Sequence, residues 1–243
     1  MSLAVISKQS NLNIGLEELK IDSNGRITAD LKDIDTVIYI GEQLSTDEYG
    51  DIEEDLYLKG VRMLVDLTEY KATKLKMAYS QLEDYMPKMI FIDKNVQWTK
   101  IKKELKTFII RDDREFKGIY NWNTSVDELN NIIKDCKSPI VVEYLTPELD
   151  SDAHTEEYKI WMIAGEPALC TGYEKFRNTV VEMVHDKMPK MNSKFYMINV
   201  MKLETGEYLI TDIEDGQVAM IHESVNTQKK IVSMLKYMYE HEG

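Results

Sequence analysis

Three oxygen-bearing side chains stand near one end of a β-ribbon pattern: Asn199 in "FYMINVMK", and Asp212 and Glu214 in "EYLITDIED". The alternation of the two runs about Thr205-Gly206 predicts a hairpin with a two-residue turn, in which positions summing to 411 oppose each other. Asn199 then faces Asp212, and Met197 faces Glu214. Strand alternation puts Asn199, Asp212 and Glu214 on one face, within about 5 Å of a cross-strand neighbour. Met201, Leu203, Tyr208 and Ile210 make the apolar floor of that face. Hard oxygen donors above such a floor suit a divalent cation, and Mg²⁺ is typically held by one or two carboxylates plus substrate phosphates. Two plainer outcomes compete: solvated acids at a hairpin end, or a one-residue slip that moves the set to the other face.

Other chemistry is poorly supplied. Cys136 and Cys170 are far apart and in no metal-ligand spacing, which points to reduced thiols in a cytoplasmic protein. His154, His185, His222 and His241 are scattered, so neither a zinc site nor a Cys–His nucleophile pair is expected. The formal net charge of −13 argues against nucleic acid as the main partner. No apolar run approaches the roughly 20 residues that span a bilayer, and no charged-then-apolar leader opens the sequence.

The elements that must position these residues follow from periodicity and punctuation. Residues 1–27 read as polar and irregular, with a turn at Asn24-Gly25. "DTVIYIGE" (35–42) is a strand, and 46–85 is mostly helical, with breaks near Gly60 and at 66–70. "KMIFI" (88–92) and "TFIIR" (107–111) are strands around the helix "WTKIKKELK". "DDREFKGIYNWN" reads as a loop, and Ser125 with Glu128 as a capping box for the next helix. "PIVVEYL" (139–145) is a buried strand. Two strands about Gly165-Glu166, a helix over 178–188, the hairpin and a closing amphipathic helix complete the order. This is an α+β, or mixed α/β, succession at a length that suits one domain or two small ones.

"YMINVMKLETGEYLITDIEDGQVAMI" resembles the closing segment of ATP-grasp proteins, in particular a clade of small phage-like and bacterial domains of unassigned substrate. "FIIRDDREFKGIYNWNTSVDEL", "PIVVEYL" and "EEYKIWMIAGEPAL" resemble, in order, the phosphate-covering strand and loop, the adenine-side hinge, and a strand with its Gly turn. The resemblance runs from about Lys71 to Met220 and rests on the ordered set rather than on one motif. It implies an ATP-grasp-like fold of antiparallel sheets with flanking helices. Its parts would be a short N-terminal lobe (1–70), a first subdomain (71–140) and a second (141–243) carrying the metal-binding hairpin.

Carried over by position, the resemblance gives Arg111 and Lys117 to the nucleotide phosphates, with Lys74 as a further lysine. Glu143, Tyr144 and Leu145 would clasp adenine through backbone groups, and Glu157 would hold the ribose hydroxyls. Lys159 stands where the clade has an arginine, and Arg177 where an arginine contacts the transferred phosphate. At the metal, Asn199 replaces the usual Asp, Asp212 the usual Glu, and Glu214 the usual Asn, so two carboxylates are kept. Asp215 would substitute for one of them if a bulge at Asp215-Gly216 turned it inward. The implied cofactors are ATP and Mg²⁺. The implied reaction joins a small-molecule or peptide carboxylate to an amine (or thiol) through an acyl phosphate. A nucleotide-binding module without ligase activity, and an acidic interaction protein with no ligand, are the alternatives.

Overall fold

Helix boundaries are set by local chemistry that the sequence displays openly. Ser45 accepts from the Glu48 N–H at 3.2 Å while the Glu48 carboxylate accepts from the Ser45 N–H at 2.9 Å, which starts α1 (Thr46–Leu58). Gly60, at φ 77°, ends it: the Gly60 N–H bonds Tyr57 O and the Val61 N–H bonds Leu56 O, each at 3.0 Å. That is the paired hydrogen bonding of a Schellman motif, which needs a left-handed residue where glycine stands. Asp66 and Glu69 repeat the capping box at α2 (Leu67–Ala72).

The structure, a computed structural model, describes residues 3–7, 14–21, 26–93, 96–113, 115–149 and 153–241. The turn expected at Asn24-Gly25 lies outside the described residues. Packing divides the chain into two compact units, each discontinuous in sequence. The first comprises Met1–Ala78, Tyr158–Asn199 and Asp212–Gly243; the second comprises Tyr79–Glu157 and Val200–Thr211.

In the first unit, β1 (Leu3–Ile6), β2 (Glu17–Leu19), β3 (Thr36–Tyr39) and β4 (Arg62–Met63) form a sheet in the order β2-β1-β3-β4, parallel throughout. This corrects the irregular reading of residues 1–27. "LAVI" is a short apolar run without alternation, as buried parallel strands are, and "EEL" is a strand only because β1 pairs with it. The pairing of β4 with β3 likewise extracts two residues from a stretch read as helical. Tyr39, Tyr49 and Tyr70 are fully buried there, Tyr49 stacked on Tyr70 at 3.9 Å between ring centroids.

The same unit holds most of a second sheet, in the order β10-β9-β11-β12, from β9 (Glu157–Ile163), β10 (Glu166–Gly172), β11 (Phe195–Lys202) and β12 (Tyr208–Asp215). Ala164 and Gly165, at φ 53° and 78°, make the β9–β10 turn, and Ile163 pairs with Glu166. The turn is thus one residue earlier than expected. Both central residues at positive φ match the twist of a two-residue hairpin. Trp161 is fully buried and packs on Phe195, ring centroids 5.9 Å apart. The terminal helix α8 (Val225–His241) buries Gln228, Ile231, Val232 and Leu235 on one stripe. Three shorter helices belong to the run of the chain: α3 (Leu75–Leu82), α6 (Arg177–Lys187) and α7 (Gly216–Ala219).

The second unit is an antiparallel sheet, β5-β8-β6-β7, made of β5 (Met89–Phe91), β6 (Thr107–Asp112), β7 (Glu115–Asn121) and β8 (Pro139–Glu143). Helices α4 (Trp98–Glu104) and α5 (Val126–Ile133) cover it through Trp98, Ile101, Leu105 and Leu129, which pack on Phe108, Ile110 and Val141. The segment "EFKGIYN" is strand β7, not loop. Its residues are exposed or half-buried, so it lacks the apolar alternation that marks a strand, and pairing with β6 defines it. Taken together the elements are mixed α and β, as the sequence indicates.

Candidate functional site

The hairpin carrying the proposed ligands differs from expectation at its turn. Gly206 N–H bonds Leu203 O at 2.8 Å, and Leu203 N–H bonds Glu207 O at 2.8 Å. Three residues, Glu204 to Gly206, therefore link the strands, with Gly206 left-handed at φ 85°. Pairing at the tip runs on a sum of 410 instead of 411, a one-residue slip from the two-residue turn.

Burial along β12 is uneven. Ile210 is buried, Thr211 and Asp212 are both half-buried, Ile213 is buried, Glu214 is half-buried and Asp215 is buried. The Asp212 carboxylate accepts from the following Ile213 N–H at 2.9 Å. Asp212 and Glu214 are half-buried on either side of buried Ile213, and on the paired strand β11 Asn199 is half-buried between fully buried Ile198 and Val200.

By donor chemistry, two carboxylates and one amide oxygen are a set that suits a small, hard divalent cation. Among the described residues, no group of three or more His, Cys, Asp and Glu side chains is arranged to hold a metal ion.

Asp215 does not bulge inward as a substitute ligand. It is 4% exposed and caps α7, its Oδ1 accepting from the Gln217 N–H at 2.9 Å and from Gln217 Nε2 at 3.2 Å. Burial pushes its carboxyl up to about 6, against the hydrogen bonds of Gln217. Gly216 permits this turn because a Cβ there would meet the Phe195 ring at 2.7 Å.

The cations of the first unit are engaged with nearby groups. Lys159 on β9 is 3.4 Å from Glu223. Arg177 donates to Tyr173 O at 3.0 Å and to Gly172 O at 2.7 Å. Lys74 lies 4.1 Å from the Tyr70 ring centroid and donates to Leu44 O at 3.3 Å. These three stand apart in sequence on β9, at the start of α6 and just before α3.

In the second unit, Arg111 on β6 pairs with Phe116 on β7 and with Ile140 on β8, just past an irregularity after Ile110. Lys117 on β7 contacts Glu115 at 2.6 Å, and this hydrogen bond raises its ammonium above the usual range. Glu143 ends β8 with its N–H on Lys88 O at 2.9 Å, and the Tyr144 N–H bonds Thr107 O at 3.2 Å. Leu145 follows, half-buried, and Glu157 is exposed at the first position of β9. The unit thus joins β6, β7 and β8 in one sheet, which puts Arg111 and Lys117 on paired neighbours.

Sequence reasoning missed the role of Gln217, which is fully buried. An uncharged amide following "EDG" carried no periodic signal, and only a completed core reveals its partners.

A parallel N-terminal sheet, an antiparallel β5-β8-β6-β7 sheet and a further sheet ending in an acid-bearing hairpin make up a mixed α/β fold. The chain has the ATP-grasp fold. D-alanine–D-alanine ligase from Bacillus anthracis complexed with ATP superposes with TM-score 0.65 at 14% identity, over 98% of this chain and 96% of that one. A RimK domain ATP-grasp protein from Sphaerobacter thermophilus gives 0.61 at 11%, over 97% and 99%. The macrocyclase MdnC of Microcystis aeruginosa, bound with its precursor peptide MdnA, gives 0.61 at 12%, over 98% and 100%. No family model and no curated protein sequence matches the chain. Among the described residues, no helix is long and apolar enough to cross a membrane.

Proposed function

We propose that the chain is an ATP- and Mg²⁺-dependent ligase that joins a carboxylate to an amine or thiol through an acyl phosphate. The reading is supported by an ATP-grasp fold whose paired strands β11 and β12 carry Asn199, Asp212 and Glu214, each half-buried. These three side chains would hold Mg²⁺, which when bound neutralises phosphate oxygens. Arg111 and Lys117 bind the nucleotide phosphates, Glu143 to Leu145 present backbone groups to adenine, and Glu157 accepts from the ribose. Lys74 is a further contact for the nucleotide. Lys159 and Arg177 stabilise charge on the transferred phosphoryl group. Positioning and charge compensation are the whole of this chemistry, so it requires no Ser or Cys nucleophile. A small-molecule substrate and a peptide one both suit the reading, since the similar structures include a D-alanine ligase and a peptide macrocyclase.

ADP release tests it. Mixing the protein with Mg-ATP, pooled amino acids or short peptides and an amine is expected to release ADP and phosphate in a carboxylate-dependent manner. Mg-ATP binding with no ADP from any pool would sink the ligase reading in favour of a nucleotide-binding module. One observation favours that second reading: Lys159 and Arg177 are held by Glu223 and by backbone carbonyls.

Arg111→Ala is expected to weaken ATP binding about tenfold, the loss of one charge-assisted hydrogen bond, while adenosine binding changes less than about twofold. Equal weakening of both in calorimetric titrations would count against a phosphate contact.

A further inference from the structure

Every polar atom of the buried Gln217 side chain has a partner in the first unit. Its Nε2 donates to Asp215 Oδ1 at 3.2 Å and to Tyr49 Oη at 3.0 Å. Its Oε1 accepts from the Tyr39 N–H on β3 at 3.1 Å. The Tyr49 hydroxyl passes its own proton to Val65 O at 2.7 Å, between β4 and α2. Two amide protons, one amide oxygen and one hydroxyl proton are thereby all committed. An amide is the side chain that can do this, since a carboxylate has no donor and an ammonium no acceptor. The network fastens the end of β12 to the parallel sheet and to α1, with Glu214 immediately before the fastened residue and Asp212 three before it.

We propose that Gln217 is a positioning residue for the cation site, with Tyr49 and Asp215 as its partners: the buried network fixes the register of the β12 end and so the placement of Asp212 and Glu214. This rests on the reading that those two carboxylates hold Mg²⁺. Residues that orient ligands from behind typically change metal affinity about 10- to 100-fold when removed. Gln217 touches neither ion nor nucleotide in this scheme. Its effect is confined to how well the two acids are presented.

The test is a Mg²⁺ titration of the full chain at a fixed concentration of a fluorescent, non-hydrolysable ATP analogue, with thermal unfolding measured in parallel. Gln217→Leu is expected to raise the Mg²⁺ concentration for half-maximal nucleotide binding about tenfold. Nucleotide affinity at saturating Mg²⁺ is expected to return to within about twofold of the unsubstituted chain, because the nucleotide contacts are untouched. Tyr49→Phe, which deletes one hydroxyl and keeps the stacked ring, is expected to move the Mg²⁺ requirement in the same direction by about threefold, and it serves where Gln217→Leu fails to fold. Asp212→Asn is the reference. If it shifts the Mg²⁺ requirement while Tyr49→Phe and any folded Gln217→Leu lower only the melting temperature, the positioning role is overturned and the cation reading survives. If Asp212→Asn leaves the requirement unchanged, the cation reading fails and the inference goes with it.

Discussion

Asp212→Asn is expected to lower Mg²⁺-dependent ATP binding by about two orders of magnitude, on the scale of charged-ligand and ligand-orienting losses. The substitution removes one of the two negative charges of the donor set while keeping size and shape. Folding is expected to be almost unaffected. Asp212 is only half-buried, and its Oδ1 accepts the Ile213 N–H, a bond that an asparagine carbonyl can still accept. Calorimetric titration with Mg-ATP, beside thermal unfolding, separates the two effects. Retained Mg-ATP affinity with an unchanged melting temperature would remove Asp212 from the site. A melting temperature that falls with the affinity would make its role structural.

Trp161→Ala is expected to cost about 3–5 kcal/mol, the range for emptying a large buried aromatic. Trp161 is fully buried on β9 against Phe195, a ring that also abuts Gly216. For a chain of this size that loss corresponds to a melting temperature lower by about 6–20 °C. Trp161→Phe is expected to be far milder, about 1–2 kcal/mol. Among the described residues the Trp161 indole N–H has no hydrogen-bond partner, so phenylalanine removes a buried unsatisfied donor along with some packing. The measurement is urea or thermal unfolding of both variants. Equal destabilisation by Ala and Phe would show that the indole N–H matters and that the site is not purely apolar.

What the sequence displayed was chemistry that acts over a few residues. The capping residue Ser125, the helix-ending Gly60, the acids of β12 and the amphipathic stripe of α8 were all readable, because cap, turn and period are local. Strands β2, β4 and β7 were not. Their residues carry weak strand patterns and become strands by pairing with β1, β3 and β6 respectively. In the hairpin, the run of acids was legible but its geometry was not. "ETGE" closes a two- or three-residue turn equally well on paper, and only the hydrogen bond from Leu203 N–H to Glu207 O decides between them. Gln217 shows the same limit from another side. A buried amide is defined by what surrounds it, and its Tyr39 partner lies 178 residues away.

That separation bears on how the protein is made. The Tyr39 N–H emerges from the ribosome long before the glutamine that accepts it. At about 5–20 residues per second, synthesis of the intervening chain takes roughly 10–35 s. For that interval the residues of the parallel sheet exist without their polar lock, a window in which chaperone occupancy would matter.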